Sequence, residues 1–303
     1  MSTPPCSTID PIAAHRWAER APAATPWLHE EVARRMAERL AVIRLPVNRW
    51  AHWEPPRSGW QGHALVVERY PQAEALQVMQ HPVPERDAAP ARAGWWQRVG
   101  RKRAASAQVV SAPPDGTMQL VWANMLAHQG ADPEQLLARW HRALAVDGFL
   151  MFSCLGPDTL QELRALYARL GWPPPAQEFT DMHDWGDQLL EAGFADPVMD
   201  MEHITLSFET PARLLAELRE LGRNQHVARF GALRTPAWRR QLERALDEYL
   251  RPGSNEPLSL SFEIVYGHAV KPEPRHTVAA RTEISLEHMK ASLRQRNRNL
   301  PAL

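Results

Sequence analysis

The stretch 119–164, QLVWANMLAHQGADPEQLLARWHRALAVDGFLMFSCLGPDTLQELR, reads as strand, loop, helix, turn, strand, loop, helix. Gln119 to Asn124 is an apolar run ending in a polar residue, which suits a buried strand whose carboxyl end opens onto a site. Asp132-Pro133 starts a helix: Asp accepts from the first free amides, and Pro gives up an amide that would be unpaired anyway. Leu136, Leu137, Trp140 and Leu144 then share one face, and Asp147-Gly148 is the expected stop. Phe149 to Ser153 is the next strand. Gly156-Pro157-Asp158 leads into a helix carrying Leu160, Leu163, Leu166 and Leu170, which Gly171 ends. Two strands joined by a crossover helix form a parallel, right-handed unit. Ligands of such sheets bind beyond the carboxyl ends of the strands, which places Asn124, Met125 and Leu126, with 153–158, at the crevice.

The flanking elements extend the α/β pattern. Trp27 to Arg44 is amphipathic, with Val32, Met36, Leu40 and Ile43 inward and Glu30, Glu31, Arg34, Arg35, Glu38 and Arg39 largely outward. A helix over about 61–70 and a strand over 74–79 follow, then a short strand near 108–111. Beyond the centre the pattern predicts a helix at 182–192, a strand at 198–208, helices at 211–221 and 235–250, and a last strand over 258–266. The tail from Lys271 is polar and basic, with one further helix predicted at 285–295.

The segments VWANMLAHQ, WHRALAVDGFLMFS and GPDTLQELR resemble the second half of a class I S-adenosyl-L-methionine-dependent methyltransferase domain. More narrowly, with EEVARRMAERL, WGDQLLEAGFADPVMDMEHITLSF, LRELGRNQ and FEIVYGHAVKP, the chain is similar over most of its length to the malonyl-acyl-carrier-protein O-methyltransferases of biotin biosynthesis. That resemblance implies a Rossmann-like fold: a seven-stranded, mostly parallel sheet with an antiparallel last strand. It also implies a domain over 1–270, a helical lid inserted at about 211–250, and a tail at 271–303. The implied activity is methylation of the free carboxylate of a malonyl thioester, with S-adenosylmethionine as donor and an acidic acyl-carrier protein as partner.

The donor half departs from the family pattern. Where the resemblance implies a first strand and a glycine-rich turn, this chain has 48–60, NRWAHWEPPRSGW, without the glycine pattern, and where it implies a ribose-binding acid it has Met79. Gly59, Met79, Asn124 and Met125 stand at the implied donor contacts. The competing reading is a methyltransferase-fold protein without catalysis that binds a carrier or another partner, and Trp53 or Trp60 filling the crevice would block the donor physically.

For the acceptor carboxylate the candidates are Arg164, Arg223, Arg229 and Arg234, since a planar guanidinium matches a carboxylate, with Asn224 beside them. Surface solvation, ion pairing and turn formation compete for each of these residues. Arg92, Arg98, Arg101, Lys102 and Arg103 around Trp95-Trp96 read as a solvated loop with one aromatic anchor, with a dock for the acidic carrier as the functional candidate and nucleic-acid or membrane-surface contact as a third reading.

Composition bounds the remaining classes. Lys and Arg number 35, as do Asp and Glu, so no global field points to nucleic acid or an anionic membrane. The two cysteines, Cys6 and Cys154, form no CxxC, and no HExxH or paired histidine spacing occurs, so no metal is expected. The absence of a long apolar run fits a cytoplasmic protein.

Overall fold

In the computed structural model, which describes residues 8–19, 25–80, 108–251, 253 and 256–274, seven strands form one sheet in the order β3-β2-β1-β4-β5-β7-β6. The strands are β1 Arg49–Trp53, β2 Glu74–Val78, β3 Gln108–Val110, β4 Met118–Ala123, β5 Leu144–Leu155, β6 Ala195–Phe208 and β7 Leu258–Val270. The first five run parallel, and β7 lies antiparallel between β5 and β6. The described helices are α1 Pro11–Glu19, α2 Trp27–Leu40, α3 Pro55–Ser58, α4 Trp60–Arg69, α5 Pro133–Ala143, α6 Gln161–Arg169, α7 Met182–Glu191, α8 Pro211–Leu221 and α9 Pro236–Leu250.

Local chemistry sets the boundaries. Asp132 accepts from the Gln135 amide at 2.8 Å, and Thr210 and Thr235 cap α8 and α9 in the same way, each followed by Pro. Gly171 and Gly193 leave α6 and α7 at positive φ, 63° and 93°, where a side chain would be strained. Asp132→Ala should lower stability by about 1 kcal/mol, read as a shift of the urea midpoint with unchanged slope.

Three expectations change. Asp147-Gly148 does not separate helix from strand: α5 ends at Ala143 and β5 begins at Leu144. Asp147 takes φ 62° inside β5, and the β4–β5 register jumps from Met118↔Leu144 to Leu120↔Phe149. The pair is therefore a strand irregularity with the extra residues of a bulge. Gly148 is required there, because a Cβ would lie 2.7 Å from the Met118 carbonyl oxygen. Helix α2 stops at Leu40 rather than Arg44. The amides of Ala41, Val42 and Ile43 bond the carbonyls three residues back, so the last turn tightens and releases the chain toward β1. Glu30, assigned to the outward face, is buried.

Two apolar layers sandwich the sheet. On one side α2, α4, α6 and the α8–α9 pair cover Trp50, Trp122, Phe149 and Phe262; on the other α5 and α7 cover Trp53, Leu150 and Phe152. Trp53 meets Trp140 edge-on at 6.3 Å in this second layer, away from the crevice. The described residues up to Pro272 belong to one compact unit. No described helix is long and apolar enough to cross a membrane. The basic 92–103 segment and the helix predicted at 285–295 lie outside the described residues.

Candidate functional site

Between β1 and α4 the chain makes a tight turn whose backbone donors are all used. The Glu54 amide, at φ 47°, reaches the Val78 carbonyl. Pro55 and Pro56 have no N–H, the Arg57 and Ser58 amides bond the Glu54 carbonyl, and the Gly59 amide bonds Pro55. The first two amides of α4, on Trp60 and Gln61, donate to Glu30 Oε1 and Oε2 at 3.1 and 2.9 Å. A helix N-terminus is a ready anion site, and here a carboxylate of the chain itself fills it. Close approach of α2 and α4 makes this possible: a Cβ on Gly62 would lie 2.9 Å from Ala33 Cβ, and one on Gly59 2.9 Å from Glu30 Oε2. Burial raises the Glu30 carboxyl to about 7, against the pull of the two amides.

Beneath the turn lies a buried polar network. Asn124 Nδ2 donates to the carbonyl of His29 at 2.8 Å and to that of Ser58. Its Oδ1 accepts from Ser153 Oγ at 2.7 Å, and Ser153 Oγ accepts the Met125 amide at 3.0 Å. Asn124 and Ser153, at the ends of adjacent strands, therefore lock α2, the turn and both strands together. His52 lies 2.6 Å from Ser58 Oγ and 3.1 Å from His63. Desolvation holds His29 and His63 near 4 and His128 near 3, so these rings are neutral at pH 7. Arg57 is buried as well; its guanidinium donates to the carbonyls of Trp17 and Ala18 and to Gln129 Oε1, which fastens α1 to the turn.

The pocket, of about 260 Å³, opens at the carboxyl ends of β4 and β5. Met125, Leu155, Leu163, Leu218 and Phe262 make its apolar lining, Trp17 of α1 contributes one wall, and Arg219, Arg223 and Asn224 bring polar groups. Of the predicted donor contacts, Met125 reaches this pocket, at φ 56°. Asn124 lies fully buried in the network below, Gly59 packs on Glu30, and the half-buried Met79 bonds Val110 through its amide. Trp60, expected as a possible plug, lies 6.1 Å from His63 and does not line the pocket.

Of the predicted acceptor residues, Arg223 and Asn224 line the pocket, and Asn224 Nδ2 also donates to the Pro174 carbonyl at 2.7 Å. Arg164 holds the carbonyls of Thr159 and Gln177 behind the wall. Arg229 pairs with Asp10 at 2.7 Å, and Arg234 lies over the rings of Phe230 and Trp238 at 3.6 and 4.1 Å. The pattern left Trp17, Glu30 and Arg57 unmarked. The glycines facing Ala33 are the one sequence signal of the close helix approach that buries Glu30.

S-Adenosylmethionine, the donor implied by the resemblance, carries a carboxylate and ribose hydroxyls that need partners. The 54–61 turn offers no unused amide, and Glu30 holds the helix N-terminus, so in this conformation the turn does not fit the donor's carboxylate. The only described trio with metal-ligand geometry is Asp158, His203 and Glu263, whose ligand atoms lie within 4.8 Å of one another. Glu263 anchors the loop after β5 by accepting the Asp158 amide at 2.7 Å.

No family model matches the chain. It is 36% identical over 254 residues to the malonyl-acyl-carrier-protein O-methyltransferase of Gallionella capsiferriformans, covering 82% of this chain and 85% of the relative. The protein of that name from Laribacter hongkongensis is also 36% identical, over 263 residues, covering 82% of this chain and 84% of its own. Crystal structures from Bacillus halodurans, named as a methyltransferase, and Bacillus subtilis share the fold at TM-score 0.51 each. They cover 80% and 81% of this chain and 99% and 100% of their own, at 13% and 14% identity. On this sequence kinship the chain belongs to the malonyl-acyl-carrier-protein O-methyltransferase family.

Proposed function

We propose that the protein is an S-adenosylmethionine-dependent O-methyltransferase acting on the free carboxylate of a malonyl thioester on acyl-carrier protein, in biotin synthesis. The observation that carries this reading, in a chain of this family, is the pocket at the ends of β4 and β5. It is apolar enough to take a thioester arm and has arginines at its rim. Arg223 and Asn224 orient the carboxylate there, and the apolar walls exclude water. A malonyl carboxylate is ionised at neutral pH and already nucleophilic, so the neutral histidines nearby need take no proton.

The closed 54–61 turn favours a second reading, in which the chain binds the carrier thioester without turning over the donor. Calorimetric titration with S-adenosylmethionine and S-adenosylhomocysteine, followed by an assay for the methyl ester of malonyl-carrier protein, separates the two. Micromolar donor binding and ester formation support the enzyme. Carrier binding with no donor binding up to millimolar concentration overturns it in favour of the second reading.

A further inference from the structure

The segment 221–242 carries five arginines, Arg223, Arg229, Arg234, Arg239 and Arg240, and no Asp or Glu. It leaves the pocket rim at Arg223–Gln225 and runs outward through a loop into α9. The loop also exposes large apolar side chains: Leu233 is 96% exposed, Val227 58% and Phe230 43%. Leu233 stands in solvent next to Arg234, whose guanidinium carbon lies over the Phe230 and Trp238 rings at 3.6 and 4.1 Å. The loop's base is fixed: the Asp10 amide donates to the Gln225 carbonyl, the Val227 amide to the Thr8 carbonyl, and Asp10 pairs with Arg229. A pinned loop that presents apolar residues among cations, beside the pocket mouth, has the composition of a binding surface rather than a solvated turn.

We infer that 226–240, the Val227, Phe230 and Leu233 loop with the first turn of α9, is the docking surface for the acidic carrier protein that delivers the acyl thioester. The inference rests on the acceptor reading above. A carrier must dock beside the pocket its arm enters, and this rim meets the pocket with an excess of positive charge: Arg229 pairs with Asp10 and Arg239 with Glu243, while Arg234 and the exposed Arg240 add to the run. Acidic residues of the carrier meet the arginine run, and its apolar side chains cover Leu233 and Phe230. Charge complementarity of this kind acts largely on association and is screened by salt.

The test is calorimetric titration of wild type and the double variant Leu233→Ser/Arg240→Glu with malonyl-carrier protein and with malonyl-coenzyme A, a thioester lacking the carrier. Both substituted residues are exposed, and Glu in the first turns of α9 suits the helix dipole, so the fold is retained. The expected result is at least tenfold weaker binding of malonyl-carrier protein, unchanged binding of malonyl-coenzyme A, and a wild-type affinity that falls as salt rises. Equal binding of the carrier by variant and wild type would overturn the docking surface alone. Equal loss of both ligands would likewise overturn it, by showing that the variant acts through the pocket. Wild-type binding of neither ligand would overturn the acceptor reading and the surface with it. Variant-sensitive binding to phosphatidylglycerol vesicles, with carrier binding unaffected, would reassign the loop to a lipid surface.

Discussion

Glu30→Gln is expected to stabilise the protein at pH 8 and to flatten its pH dependence. Desolvation raises the Glu30 carboxyl to about 7, from 4.5 in an unfolded chain. Between those values the folded state binds the extra proton, so stability is fully present below about 4.5, declines as pH rises, and is lost above about 7. At about 1.4 kcal/mol per unit, the loss reaches about 3 kcal/mol. Gln keeps an oxygen for one of the two α4 amides and forfeits the other bond, worth about 1 kcal/mol, so the net gain at pH 8 is about 2 kcal/mol. Urea midpoints of both proteins at pH 5 and pH 8 check this. If the wild type gains stability relative to the variant over that interval, the buried carboxylate is not the costly group assigned here.

Asn124→Ala is expected to have the larger effect, in the opposite direction. It strips partners from the carbonyls of His29 and Ser58 and from Ser153 Oγ, all in a region water does not reach. Each unsatisfied buried group costs about 1–3 kcal/mol, giving about 3–9 kcal/mol in all, a large share of a typical folding free energy of about 5–15. Asn124→Asp should be at least as damaging although nearly isosteric, because its oxygen faces two carbonyl oxygens where an N–H₂ stood. Chemical denaturation of the three proteins decides it. An Asp variant close to wild type would mean that the two carbonyls do not depend on a donor at this position.

The central unit was legible because its signals are local. Asp132-Pro133, Thr235-Pro236, Gly171 and Gly193 specify their own backbone, and the apolar periods between them specify layers. Asp147-Gly148 misled for the same reason. The pair is a common helix stop, and only the register of β5 against Met118 and Leu120, residues far off in sequence, makes it a kink in a strand. Glu30 failed differently. Next to Glu31 it looks like part of a solvated face, and its burial depends on how closely α4 approaches Ala33. The departures at 54–60 and Met79 showed that the donor half is unusual, but not that the turn satisfies its own amides. Helix α1 carries too little apolar surface to announce itself; Trp17 and the bonds from Arg57 hold it in place.

The antiparallel pairing of β6 with β7 closes a loop spanning 209–257, which contains α8, α9 and the basic rim between them. The entropy of closing a loop grows only with the logarithm of its length, so doubling this one would cost about 0.6 kcal/mol. The sheet is therefore nearly indifferent to what is spliced between its last two strands. Residues can be gained, lost or exchanged there at small thermodynamic cost, so this segment can diverge while the strands that set the fold stay constant.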